Sequence, residues 1–187
     1  MEKHKARFFA YGFSQVEGIE CDETFAPVTR YSSIRSMLAL STHMGWKIHQ
    51  MDVNTAFLNG KIEEEVYIEQ LEGFETFDRE LHVCPLKRVL YGLKQAPHAW
   101  YTMIDNYFIG LGFTKSEADA NLYHIIIEGK QLIIVLYVDD LILTSDDHLI
   151  MSCKEDLARE FEMKDMGLMH YFLGMEVWKK DGELFVS

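Results

Sequence analysis

Two apolar runs, Gln131-Leu-Ile-Ile-Val-Leu-Tyr-Val138 and Leu141-Ile-Leu-Thr144, are separated only by a pair of carboxylates, Asp139 and Asp140. Each run reads as a buried strand and the pair as their tight connection, which predicts a hairpin with charge at its tip. Upstream, residues 46–53 alternate with period two. Trp46, Ile48, Gln50 and Asp52 fall on one side of that strand, and Lys47, His49, Met51 and Val53 on the other. Helical spacing joins Ile34, Met37, Leu38 and Ser41, with Ser32 or Ser33 as N-cap and Gly45 as stop. A second helix starts at Pro97 and is closed by Gly112, and Trp100, Met103, Ile104, Tyr107, Phe108 and Leu111 share its apolar stripe. A third runs from about Asp147 to Glu162 with Cys153, Leu157 and Phe161 inward. Further strands are expected at 4–11, Val66–Glu69, Leu81–Cys84, Leu122–Ile127, Tyr171–Val177 and Leu184–Val186. Turns are expected at Asn59-Gly60, 128–130 and Asp181-Gly182. This order predicts an α+β domain with a mostly antiparallel sheet and helices packed on one face.

Composition narrows the picture. A chain of 187 residues is one domain or a compact pair of subdomains and buries roughly 70% of its unfolded surface. Cys21, Cys84 and Cys153 are odd in number and far apart, which indicates neither a disulfide framework nor a zinc site. The eight histidines are scattered and read as ordinary. Asp139 and Asp140 interrupt the longest apolar stretch before it reaches the ~18 residues of a membrane span. The expectation is a cytoplasmic protein with no membrane partner. Thirty acidic against eighteen basic residues give a net charge of −12, an awkward balance for holding nucleic acid. The charge is uneven, with acids crowded into 60–80 and 146–165. Lys3, Lys5 and Arg7 lie together at the start, and Lys87, Arg88 and Lys94 in mid-chain.

Acidic residues suit turns because short side chains hydrogen-bond nearby backbone. Yet Asp-Asp brings no glycine to a two-residue hairpin loop. Adjacent like charges also repel, and a divalent cation relieves them. Asp52 ends a strand as well, so if the two strands are neighbours the carboxylates converge at one edge. Hard oxygen ligands there suit Mg²⁺ and a two-metal displacement at phosphorus, in a polymerase or a nuclease.

Six segments carry a resemblance. They are Lys5-Ala-Arg7, Glu23-Thr-Phe-Ala-Pro-Val28, residues 50–60, residues 90–97, Leu136-Tyr-Val-Asp-Asp140, and residues 161–167 continuing through His170-Tyr-Phe-Leu-Gly-Met-Glu-Val177. In this order they make the chain resemble, from end to end, the reverse transcriptase of copia-type retrotransposon polyproteins. The resemblance implies a polymerase palm with partial fingers and no thumb. Fingers and fingers–palm segments would lie in 1–50 and 54–112, palm strands around 46–53 and 131–144, and a primer-grip-like hairpin in 170–187. Asp52, Asp139 and Asp140 would be catalytic, holding two Mg²⁺ ions, or Mn²⁺, together with the Val53 carbonyl. Phe57 would exclude the ribose 2′-hydroxyl. Gly92, Gln95 and Pro97 would hold nucleotide and template, Lys5 and Arg7 would meet the triphosphate, and Phe172, Leu173 and Gly174 would contact the primer. Partners would be an RNA or DNA template with primer, dNTPs, and flanking integrase and ribonuclease H regions, in a particle-associated polyprotein.

Four departures stand out. The family usually has a basic residue where Tyr11 stands, often Lys at Asn54, commonly Arg at His98 and usually Pro at Ala120. Three of these remove positive charge. A truncated, non-catalytic remnant of such an element is therefore one alternative, and a two-metal nuclease is another. Phe57 together with Gly92–Pro97 argues against the nuclease, which needs neither a sugar gate nor a nucleotide-holding loop. Residues 1–187 alone are expected to bind primer–template weakly and to extend it undetectably.

Overall fold

The computed structural model describes residues 8–16, 18, 28–62, 64–76, 78, 81–180 and 183–186. Lys5, Arg7, residues 25–27 and the turn at 181–182 lie outside the described residues. In chain order the elements are α1 (Tyr31–His43), β1 (Lys47–Val53), α2 (Ala56–Asn59), β2 (Tyr67–Glu69), β3 (Val83–Pro85) and α3 (Ala96–Gly110). They continue as β4 (Thr114–Lys115), β5 (Leu122–Ile127), β6 (Lys130–Tyr137), β7 (Asp140–Ser145), α4 (Asp147–Glu160), β8 (Met163–Leu168), β9 (Tyr171–Phe172), β10 (Met175–Lys180) and β11 (Glu183–Val186). The chain divides into two compact units, one of residues 1–26 and 55–105, the other of 27–54 and 106–187. No helix among the described residues is long and apolar enough to cross a membrane.

The second unit is built on an antiparallel sheet in the order β4-β5-β6-β7-β1-β8. Glu128 (φ 51°) and Gly129 (φ 78°) join β5 to β6, the pair of positive φ angles that a type I′ hairpin turn requires. The run Leu132–Leu136 is apolar without alternation, and every residue in it is at most 5% exposed, so the sheet needs cover on both faces. On one face Ile48, Ile133, Val135 and Ile142 pack with Ile34, Met37 and Leu38 of α1 and with Met169, Phe172 and Val177. On the other, Leu149 and Cys153 of α4 line a cavity with Leu132, and Lys154 reaches His49. Helices thus lie on both faces, which corrects the one-face expectation.

Several boundaries also move. α1 starts at Tyr31 with Arg30 as its cap, and the Arg30 N–H donates to Asp119 Oδ2 at 2.9 Å. The expected apolar face is otherwise right, since Ile34, Met37, Leu38 and Ser41 are all buried. Trp100, Ile104 and Phe108 are fully buried along α3, but Leu111 is 43% exposed because it lies past the helix end. α4 stops at Glu160, and Phe161 is extended but still buried. Tyr171–Val177 is two strands, because Leu173 (φ 51°) and Gly174 (φ 80°) turn the chain between them.

β8 was not foreseen, since its polar sequence carries no alternation. It pairs with β1 through a bulge, with Gln50 opposite Gly167 and Met51 opposite Asp165. Lys154, only 6% exposed, holds this junction. Its ammonium lies 2.7 Å from Asp165 Oδ1 and 2.9 Å from His49 Nδ1. Asp165 Oδ1 also accepts the Gly167 N–H. Burial pushes the Asp165 carboxyl up, but the Lys154 and Gly167 hydrogen bonds outweigh it and leave it below the ordinary range. Burial, then the Lys154 charge, lowers His49.

Lys154→Met is expected to cost about 1–3 kcal/mol in urea unfolding, the cost of unpairing a buried polar group. The depressed His49 contributes stability that is present above its unfolded pKa and lost as pH falls through the lower folded value. The acid-side stability slope should therefore be shallower in His49→Gln than in the wild type. Equal slopes would remove His49 from this account.

The first unit has its own core of Val66, Val89, Leu93 and Ala96, with Phe57 and Leu90 against it. The strand expected at 4–11 does not form across residues 8–11, which make one bridge, Phe9 to Tyr91, supported by Ala10 N–H to the Tyr91 carbonyl at 2.7 Å. Here two backbones touch. A Cβ on Gly92 would stand 2.2 Å from the Ala10 carbonyl oxygen, and one on Gly12 would stand 1.8 Å from that of Gly92.

Candidate active site

β1 lies between β7 and β8, so its last residues are held from both sides. Asp52 stands directly opposite Asp140 in the β1–β7 register. The Val53 N–H donates to the Asp139 carbonyl at 2.9 Å, and the Asn54 N–H to that of Glu162 at 2.8 Å. The strand ends expected to converge do so. The hairpin tip differs by one residue from the expectation. Tyr137 pairs with Asp140, which makes Val138-Asp139 the turn and Asp140 the first residue of β7. The positive φ falls on Val138, at 57°, as the first position of a type II′ turn requires. A β-branched residue is strained there.

Gln50 shares Asp52's side of β1, and its Nε2 donates to Asp140 Oδ1 at 2.9 Å. Burial raises the Asp140 carboxyl above its ordinary range. The Gln50 hydrogen bond opposes that rise, and the negative charges of Asp139 and Asp52 add to it. The like charges are thus close enough to feel one another. Among the described residues, however, no three His, Cys, Asp or Glu side chains stand where they would hold a metal ion. The convergence shown is of strand ends and backbone. As chemistry, the donors fit a hard divalent cation, which would offset the negative charges of Asp139 and Asp52 beside Asp140.

The loop of the first unit is equally specific. Gly92 has φ 92°, α3 begins at Ala96, and Pro97 takes its second position, where its missing N–H costs little. Gln95 is 6% exposed, and its Oε1 accepts from Gln15 Nε2 at 3.0 Å. Gln15 Oε1 in turn accepts the Lys94 N–H at 2.8 Å. Phe57 is half-buried and packs edge-on against Tyr91, ring centroids 5.5 Å apart.

Comparison with known proteins decides the family. The model of the reverse transcriptase (RNA-dependent DNA polymerase) family matches residues 1–187. The chain belongs to this family. It is 42% identical over its whole length to a retrovirus-related Pol polyprotein from transposon RE1 of Arabidopsis thaliana. It is 42% identical, over 94% of its length, to the Pol polyprotein from transposon TNT 1-94 of Nicotiana tabacum. The transposon Ty1-BR Gag-Pol polyprotein of Saccharomyces cerevisiae is 28% identical over 96% of the chain. The chain spans only 13% of each plant polyprotein and 10% of the yeast one. No solved structure matches it.

Within this reverse transcriptase chain the remaining expected site residues fall unevenly. Phe172 is 3% exposed and packs edge-on against Tyr137 with centroids 5.6 Å apart, so its side chain belongs to the core. Leu173 is half-buried and Gly174 exposed, at the turn of the hairpin. Gly12 and Gln15, which shape the 92–97 loop, were not singled out from sequence. A glycine needed for a backbone crossing and a glutamine bonded 80 residues away leave no local periodic signal.

Proposed function

We propose that this chain carries the nucleotidyl-transfer site of an RNA-directed DNA polymerase, adding dNTPs to a primer 3′-hydroxyl on an RNA or DNA template. The observation that carries the proposal is Asp52 opposite Asp140 across β1 and β7, with Asp139 tied to Val53. We read the second unit as palm, with its hairpin at 170–187 facing the primer through Leu173 and Gly174, and the first unit as fingers. Integrase and ribonuclease H regions would lie elsewhere in the same polyprotein.

Asp52, Asp139, Asp140 and the Val53 carbonyl would hold two Mg²⁺ ions, with Mn²⁺ as substitute. Bound there, such ions lower the pKa of an attacking hydroxyl and neutralise charge on the leaving pyrophosphate. The protein's own part is positional. Gln50 fixes one oxygen of Asp140, the Val53–Asp139 hydrogen bond fixes the turn, and the strained Val138 holds Asp139 at its tip. The loop at 92–97 would seat the nucleotide, Lys5 or Arg7 would meet its triphosphate, and Phe57 would close against its sugar.

The test is primer extension on an RNA template by a Pol protein carrying this chain, with Mg²⁺. Extension is expected. Strand cleavage without extension would favour the nuclease, and neither activity would favour the non-catalytic remnant. In the same protein Phe57→Val should raise ribonucleotide incorporation in single-turnover assays. Unchanged discrimination with lowered stability would make Phe57 a core residue only.

A further inference from the structure

The ion pairs Lys47–Asp147, Lys130–Asp146, Lys154–Asp165 and Arg159–Asp156 lie in the second unit. In the first unit, by contrast, Lys61 and Arg88 stand directly opposite each other in an isolated antiparallel bridge. Directly opposite residues share a face, so two cations are side by side there, an arrangement that destabilises a strand pair unless something negative intervenes. Nothing in the described residues does. Glu64 and Glu65 are a few positions away, yet neither pairs with Lys61 or Arg88, and both cations are exposed.

The backbone beneath this pair is firmly held. A Cβ on Gly60, the residue before Lys61, would stand 2.8 Å from the Cβ of Ala99, so only glycine lets this strand lie against α3. Val89, the residue after Arg88, is fully buried, and its N–H points to the Gly60 carbonyl at 3.4 Å. Two cations are therefore presented on a rigid support, in a chain whose net charge is −12.

We propose that Lys61 and Arg88 form a phosphate clamp for the sugar-phosphate backbone of the nucleic acid this chain handles. The inference rests on the polymerase reading and adds a contact that none of the resemblance motifs assigns. A guanidinium takes two phosphate oxygens in parallel hydrogen bonds, and the ammonium beside it adds a point charge. The phosphate between them also removes the repulsion of the empty bridge.

The experiment follows fluorescence anisotropy of a labelled RNA–DNA hybrid titrated with a Pol protein carrying this chain across a KCl series from low ionic strength. Each phosphate contact contributes about 0.7–0.9 to the slope of log affinity against log salt, so the Lys61→Gln, Arg88→Gln double variant should lose roughly 1.5 from that slope. Lys87→Gln, which changes the exposed neighbour that lies outside the bridge, should lose little. Arg88→Glu separates binding from structure, because it replaces a like-charged cross-strand pair with an opposite-charged one. Its melting temperature should equal or exceed that of the wild type while its affinity falls. An unchanged slope in the double variant, or an equal loss in Lys87→Gln, overturns the clamp and leaves the polymerase reading standing. Lower melting together with weaker binding in Arg88→Glu also overturns it, by making the pair structural. A Pol protein carrying the wild-type chain with no salt-dependent binding overturns both.

Discussion

Asp52→Asn in a Pol protein carrying this chain is expected to lower single-turnover incorporation by at least about 10²-fold, roughly 3 kcal/mol of transition-state stabilisation. The substitution keeps the shape of the side chain and the register of β1, in which Asp52 faces Asp140. It removes the negative charge that a metal ligand needs. Asp139→Asn should do the same, since its residue sits at the tip of the strained turn. Neither change should cost stability in the metal-free protein. Asp52 and Asp139 both push the Asp140 carboxyl up, so neutralising either relieves a repulsion, and the melting temperature should hold or rise. Incorporation within a few-fold of wild type in Asp52→Asn would end the catalytic assignment. A collapse in melting temperature would show that Asp52 acts through the fold.

The second large effect is structural. Gly92→Ala places a methyl group 2.2 Å from the Ala10 carbonyl oxygen at a residue with φ 92°. Both the clash and the left-handed backbone oppose it, and the expected cost is about 2–4 kcal/mol. Gly129→Ala is the control. It has a similar positive φ but nothing within 4 Å of its added Cβ, so only the backbone term of about 1 kcal/mol applies. Proteolytic susceptibility of the first unit should rise sharply for Gly92→Ala and barely for Gly129→Ala. Similar behaviour of the two would mean that Ala10 moves aside, and that the crossing of segments 8–12 and 91–93 does not hold the loop.

What the sequence disclosed followed from periodicity. The period-two pattern of residues 46–53 put Asp52 on the side of Gln50 and Ile48, and the register confirms that β1 delivers it to the same sheet edge as Asp140. The face of α1 was legible for the same reason. The turn was misplaced by one residue because hydropathy marks where charge begins, whereas backbone geometry chose Val138 to carry the positive φ. The uninterrupted run Leu132–Leu136 already implied cover on both faces of the sheet, although the order of elements was read as helices on one face. β8 was illegible for a different reason. It is a mostly exposed edge strand, held by Lys154 from α4, and no local pattern records a partner that distant.

The place of β1 in the sheet has a consequence for how the protein is made. Its two neighbours, β7 and β8, are synthesised long after it. A ribosome that has just released residues 47–53 has made none of the strands that flank them. Asp52 must wait, exposed on an unpaired strand, until the hairpin bearing Asp139 and Asp140 has emerged, and β1 is not enclosed until β8 follows. Contacts of such long sequence separation form slowly, and unpaired strand edges invite wrong partners in the meantime. On a nascent chain the strand bearing Asp52 is the first part of the central sheet to appear and among the last to be secured. Pulse-labelling of stalled ribosome complexes should find residues 47–53 unprotected until chain beyond residue 168 has cleared the exit tunnel.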